Sequence, residues 1–176
     1  VAIYIGNVQG ALVDSIRMSE QARYSNIRLS TSTDAVVENC NFSATGNPVG
    51  RGLEIVFDDV GTVVRDCTLS GFYDGLFFNG TSNAKVETCV LQYNVEGVDL
   101  CCLESPGHNP NPDFGGGARS SLGGNIISEN VIRGILNESY NTIYAKYNIW
   151  GHTPPMIGPA TGSDIYSIST GSVIWE

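Results

Sequence analysis

Lysine is nearly missing from this sequence. Only Lys85 and Lys146 occur, and all basic residues together number 9 against 18 acidic ones. With a net charge of −9 and no basic cluster, the chain lacks what a phosphate-neutralising surface needs, which excludes duplex DNA or RNA as a partner. Charged residues of either sign make up 15%, well below the roughly 25% of an ordinary globular domain. No apolar run approaches the ~20 residues of a membrane-spanning helix, so no membrane insertion is expected. Neither a signal sequence nor an initiating Met is seen. The chain opens in mid-pattern at Val1-Ala2-Ile3, as a mature product or an excised fragment would. Cysteine occurs 5 times, an odd number with no CxxC pair, so neither a disulfide framework nor a zinc site is indicated.

Abundant glycine (21 of 176 residues) and asparagine disfavour helices and suit short strands joined by tight turns. The phrase VVENCNF at 36–42 returns as VVRDCTL at 63–69 and KVETCVL at 85–91, with cysteine always in the same slot. Thirteen residues before Cys40 stands Ile27, and 13 before Cys89 stands Leu76; Leu53 lies 14 before Cys67. The same 13-residue offset links Ile3 to Ile16 and Ile135 to Asn148. Val98 reaches Asn130 only after 32 residues, which marks an insertion over 102–120, rich in Pro, Gly and Asn. Repeats of this length are the mark of a solenoid. Within each repeat, pairs such as Ile27/Leu29, Leu53/Ile55, Leu76/Phe78 and Val98/Leu100 follow the period of a strand. The stretch ALVDSIRMSEQARY could be read alone as a helix, but it fits the coil offsets.

These spacings predict an all-β chain: a single-stranded right-handed parallel β-helix of about six coils over 1–151, with an irregular C-terminal cap over 152–176 of the same domain. The corner series Ile16, Cys40, Cys67, Cys89, Asn130, Asn148 is expected to stack inside, cysteine acting as a small buried hydrophobe and asparagine bonding to turn backbone. Cys101 continues its strand and Cys102 opens the insertion; with His108 nearby a metal is conceivable, but no recognised spacing supports one.

The repeat resembles the right-handed parallel β-helix superfamily that includes pectate-lyase-like and NosD-like proteins. NPDFGGGARSSLGGNIISEN at 111–130 and NTIYAKYNIWG at 141–151 are similar to the last coils of an uncharacterised secreted group. That resemblance implies an extracellular, cell-surface or periplasmic location and a C-terminal cap, and it brings no catalytic residues. The paired-Asp and Gly-His-Gly sequences of polygalacturonases and the Asp-Pro-His-Glu of mannuronan epimerases are missing. So is a recognisable pectate-lyase cluster of Arg and calcium-binding Asp.

Stacked strands place outward residues in columns. Tyr4, Arg28, Glu54, Phe77, Asp99 and Leu136 form one, whose aromatic and charged members are candidates for binding a glycan. Glu54 and Asp99, two coils and so roughly 9–10 Å apart along the stack, are candidates for an acid–base pair, since inverting glycosidases separate their carboxyls by ~6.5–9.5 Å. Asp14, Glu38, Arg65 and Glu87 form a charge ladder. Asp58 and Asp59 are candidate calcium ligands in a turn; no other cofactor is indicated. Sequons mark Asn41, Asn79 and Asn137 as candidate glycosylation sites. The function expected is a structural or polysaccharide-binding β-helix module, with a polysaccharide hydrolase or lyase as the alternative. Its unprotected N-terminal strand edge is expected to stack on upstream coils or on a neighbouring copy.

Overall fold

A computed structural model of the chain describes residues 1–20, 23–57, 60–101 and 109–176. Three parallel sheets wind into a β-solenoid, and no helix occurs among the described residues. The first sheet stacks Ile3–Gly6, Ser25–Ser30, Arg51–Val56, Asp74–Asn79, Glu96–Leu100, Arg133–Asn137 and Ser163–Ser167. A second, also of seven strands, runs from Leu12–Asp14 to Ser172–Ile174, and a third of six runs from Arg17–Met18 to Ile149–Trp150. ALVDSIRMSEQARY thus supplies two strands, Leu12–Asp14 and Arg17–Met18, because its apolar residues face the core at coil spacing.

Register follows the sequence offsets. Ile3, Ile27, Leu53, Leu76, Val98 and Ile135 pair in series, and the last five are fully buried. One corner is made by left-handed residues that recur from coil to coil. Asn39, Asp66 and Thr88 precede the three cysteines with φ of 54°, 54° and 55°. Asn and Asp tolerate that conformation because their short side chains bond locally. Thr88 is held there by donating its hydroxyl to Asp66 Oδ1 at 2.7 Å.

The cysteine stack is buried as expected, and its chemistry is specific. Each thiol donates to the carbonyl two residues back, Cys40 to Glu38, Cys67 to Arg65 and Cys89 to Glu87, at 3.1, 3.2 and 3.3 Å. The stack then continues through Asn125 and Asn148, which corrects the sequence reading of Asn130. Asn125 Oδ1 accepts from the Cys89 N–H at 3.0 Å, and Asn148 Oδ1 accepts from the Asn125 N–H at 2.9 Å. Asn130 belongs to another corner, above Asn94: its Oδ1 accepts from the Asn94 N–H at 3.1 Å. Two asparagines five residues apart compete for the slot in sequence, and the pairing of Val90 with Ile126 decides for the first.

The glycine-rich part of 102–120 is no structureless insertion. Asp113–Gly115 is the second-sheet strand of its coil, and Phe114 lies in the core edge-on to Phe78, with ring centroids 6.1 Å apart. Asp113 gathers the loop that follows. Its carboxylate accepts backbone N–H bonds from Gly115, Gly117, Arg119 and Ser121.

The C-terminal end also departs from expectation. Within the segment read as an irregular cap, the strands around Ile165 and Val173 extend the last coil in register, Ile165 on Ile135 and Val173 on Ile143. What covers the first sheet's outer edge is the segment Met156–Gly158. The Gly158 N–H donates to the Ile165 carbonyl at 2.9 Å, and the Asp164 N–H to the Met156 carbonyl at 2.8 Å. The Asp164 side chain fixes that segment by accepting from the N–H groups of Gly151 and Met156 and pairing with His152 Nδ1 at 2.9 Å.

Candidate functional site

Four glycines shape the outward side of the first sheet. Gly52, Gly75, Gly97 and Gly134 each follow a charged residue, Arg51, Asp74, Glu96 and Arg133. A Cβ on any of them would sit 2.6–2.7 Å from a carbonyl oxygen of the next coil. At Gly52 it would also meet the core side chains of Leu69 and Phe72. The glycines therefore point inward, immediately before inward Leu53, Leu76, Val98 and Ile135. Strict alternation breaks at this corner, and the charged residue before each glycine turns to the outside.

That break creates the site. Asp74 and Glu96 pair in adjacent rungs, and with Asp99 they offer carboxylate oxygens that all lie within 4.8 Å of one another. Asp74 and Glu96 are buried and Asp99 is half-buried. Arginines close both ends of the cluster. Arg51 Nε donates to Asp74 Oδ2 at 3.2 Å and Arg133 Nη1 to Glu96 Oε1 at 2.9 Å. The other Asp74 oxygen, Oδ1, and Asp99 Oδ1 are buried and accept no hydrogen bond.

Such crowding resists ionisation. Burial pushes the Asp99 carboxyl up to about 8, and the neighbouring Asp74 and Glu96 add repulsion. Asp74 rises to about 6, again chiefly through burial, although Arg51 opposes the shift. Glu96 moves upward for the same first reason, with Asp74 next.

The residues singled out in the sequence are placed unevenly. Tyr4, Arg28, Glu54, Phe77, Asp99 and Leu136 do share one column. Tyr4 is well exposed, but Phe77 is buried, with the Arg51 guanidinium 3.3 Å from its ring centroid. Glu54 is occupied: it accepts from Arg51 at 2.7 Å and from the Ser25 hydroxyl, and Arg28 lies 3.8 Å away. Phe77 stands between Glu54 and Asp99, so the two candidate acid–base groups do not face each other directly.

Among the sequons, Asn41 is exposed and Asn79 half-buried. Asn137 is fully buried, and its amide donates to the carbonyls of Asn141 and Ser172. A glycan cannot be attached there without opening the fold, so that candidate is withdrawn. The charge ladder is as read, with Arg65 Nε donating to Glu38 at 2.7 Å. Asp58, Asp59, Cys102 and His108 lie outside the described residues. Cys101 is disulfide-bonded, a bridge that the cysteine spacing does not indicate.

Sequence reasoning missed Asp74 and Glu96 as site residues. The signal was present as the recurring charged-Gly-aliphatic triplet, RGL, DGL, EGV and RGI. Beside it lies a cleft of about 250 Å³, lined by Arg23, Tyr24, Gly50, Arg51, Tyr73 and Asp74.

Residues 7–157 match the family described as "Protein of unknown function (DUF1565)". The chain belongs to that family. No curated protein and no solved structure matches it. For this DUF1565 chain, then, the geometry itself carries the functional argument. It combines a glycine corner, a carboxylate triad bracketed by Arg51 and Arg133, and a tyrosine-walled cleft that shares Asp74 with the triad.

Proposed function

We propose that the chain is an extracytoplasmic β-helix module that binds an extended polysaccharide along the outward side of its first sheet. The observation that carries this reading is the cleft. Tyr24 and Tyr73 are both exposed and stand two rungs apart, with Gly50 between them and Arg51 and Asp74 beside it. Two rungs are roughly 9.6 Å, comparable with the length of a disaccharide. Phenol rings offer apolar faces to sugar rings, while the half-buried Arg51 guanidinium, positioned by Asp74, takes the hydroxyls. The acidic, lysine-poor composition and the resemblance to pectate-lyase-like β-helices support the same reading.

A glycan array followed by calorimetry on the best ligand tests it. Tyr73→Ala should weaken binding at least tenfold, about 1.4 kcal/mol, with the fold unchanged. No bound glycan, or equal affinity in the variant, would contradict the assignment.

A second reading, a polysaccharide hydrolase or lyase, is favoured by Asp99. A carboxyl held protonated at neutral pH suits a general acid. Its partner would come from Asp74 or Glu96, since Glu54 is engaged. Reducing sugar or unsaturated uronate released by wild type but not by Asp99→Asn would identify the enzyme. We also propose that the first coil stacks on further polypeptide, because its inward residues Ile3, Ile5, Ile16 and Met18 are only partly buried.

A further inference from the structure

We infer that Asp74, Glu96 and Asp99 form a calcium site on the outward side of the first sheet. Three observations support it independently of any glycan. The first is distance. Calcium takes oxygen ligands at 2.3–2.6 Å, so two ligands on one ion lie no more than about 5 Å apart, and the three carboxylates here offer oxygens within 4.8 Å of one another.

The second is unmet bonding capacity. Asp74 is 3% exposed, yet its Oδ1 accepts nothing, and Asp99 Oδ1 is equally without a donor. Buried carboxylate oxygens of native proteins find donors or cations. Arg51 already serves the other Asp74 oxygen and Arg133 already serves Glu96. No lysine is among the groups seen to act on the cluster.

The third is charge. Asp74, Glu96 and Asp99 have Arg51 and Arg133 as their direct cationic partners, so the ionised cluster keeps an excess of negative charge that a divalent ion offsets. Calcium suits the site better than magnesium. Magnesium demands near-ideal octahedral geometry and gives up its waters reluctantly, whereas calcium accepts irregular sets of 6–8 oxygens, the remainder supplied by water.

Titration of the chelator-treated protein with calcium chloride, by calorimetry in two buffers of different ionisation enthalpy at pH 7, tests the site. One ion should bind saturably, with a Kd of about 10⁻⁴–10⁻³ M or tighter, and roughly one proton should be released per ion as Asp99 ionises. Tm should rise by roughly 5 °C or more at a hundredfold excess over Kd. Asp99→Asn should weaken binding at least tenfold and abolish proton release, while Glu38→Gln, on the separate charge ladder, should bind as wild type does. Absence of saturable binding by wild type at 10 mM calcium chloride would overturn the proposal, whatever the variants do. Undiminished binding by folded Asp99→Asn, or tighter binding of magnesium than of calcium, would overturn it equally. Because no sugar is present, failure here is distinct from failure of the glycan-binding reading.

Discussion

Cys40, Cys67 and Cys89 show how little a side chain's chemistry need follow from its usual reputation. Each thiol serves as a weak donor to a corner carbonyl, in the position that Asn125 and Asn148 occupy with stronger amide donors. Burial raises the Cys40 thiol to about 11, and contact with Cys67 together with burial holds Cys89 well above its ordinary value. The thiolate, which is the reactive form, is therefore suppressed at Cys40 and Cys89, and Cys67, whose thiol is shifted downward chiefly by its contact with Cys89, is shielded by burial instead. A thiol reagent should leave all three unmodified in the native protein and modify all three in denaturant. Mass spectrometry after timed labelling checks this, and rapid native modification would show the corner to be open. The cysteine slot was legible in the sequence because it recurs at nearly constant spacing from a strand. Asn125 was not, because Asn130 lies close enough to satisfy the same count.

At the scale of the strand, one glycine column decides which residues reach the outside. Period-2 alternation assigns Asp74 to the same face as Leu76, hence to the core, and by that rule neither Asp74 nor Glu96 belongs to a surface site. Gly75 and Gly97 occupy the inward position instead, and the charged residue before each is turned out. Alternation is a property of regular strand, so a sequence reading built on it fails at the bend where the site is made. Gly97→Ala should test the column. Its Cβ would lie 2.6 Å from the Gly134 carbonyl oxygen and 2.7 Å from the Asn130 amide. Such overpacking costs about 1–3 kcal/mol, occasionally more, and denaturant unfolding should show a loss of at least that size. A loss below 0.5 kcal/mol would mean that the rungs are not so closely stacked.

Across the whole molecule the two ends differ. Met156–Gly158 covers the last strand of the first sheet, whereas the first coil presents unpaired strand edges and partly buried apolar residues. Exposed edges recruit other chains, so light scattering on this 176-residue chain should show association that grows with concentration. A monomer throughout, with fast amide exchange at Ala2–Gly6, would show the edge to be frayed instead. Solenoid architecture could be read from repeat spacing. That the last two strands continue the ladder could not, because Ile157 and Ile165 each offer a single isoleucine for the rung after Ile135.

Coil register forces Asp74, Glu96 and Asp99 together in a partly dehydrated cluster, and thermal unfolding against pH in the presence of chelator reads out that crowding. The three carboxyls ionise in the folded chain at higher pH than in the unfolded one, with Asp74 near 6 and Asp99 near 8 against an ordinary 3.8. Folding therefore takes up protons between about pH 4 and 8, and stability is lost as pH rises through that window. Tm should fall steadily from pH 5 to pH 8 in wild type, and the fall should be clearly shallower in Asp99→Asn, which has one fewer buried acid to ionise. Equal slopes in the two proteins, or a wild-type Tm that rises over that range, would contradict the account.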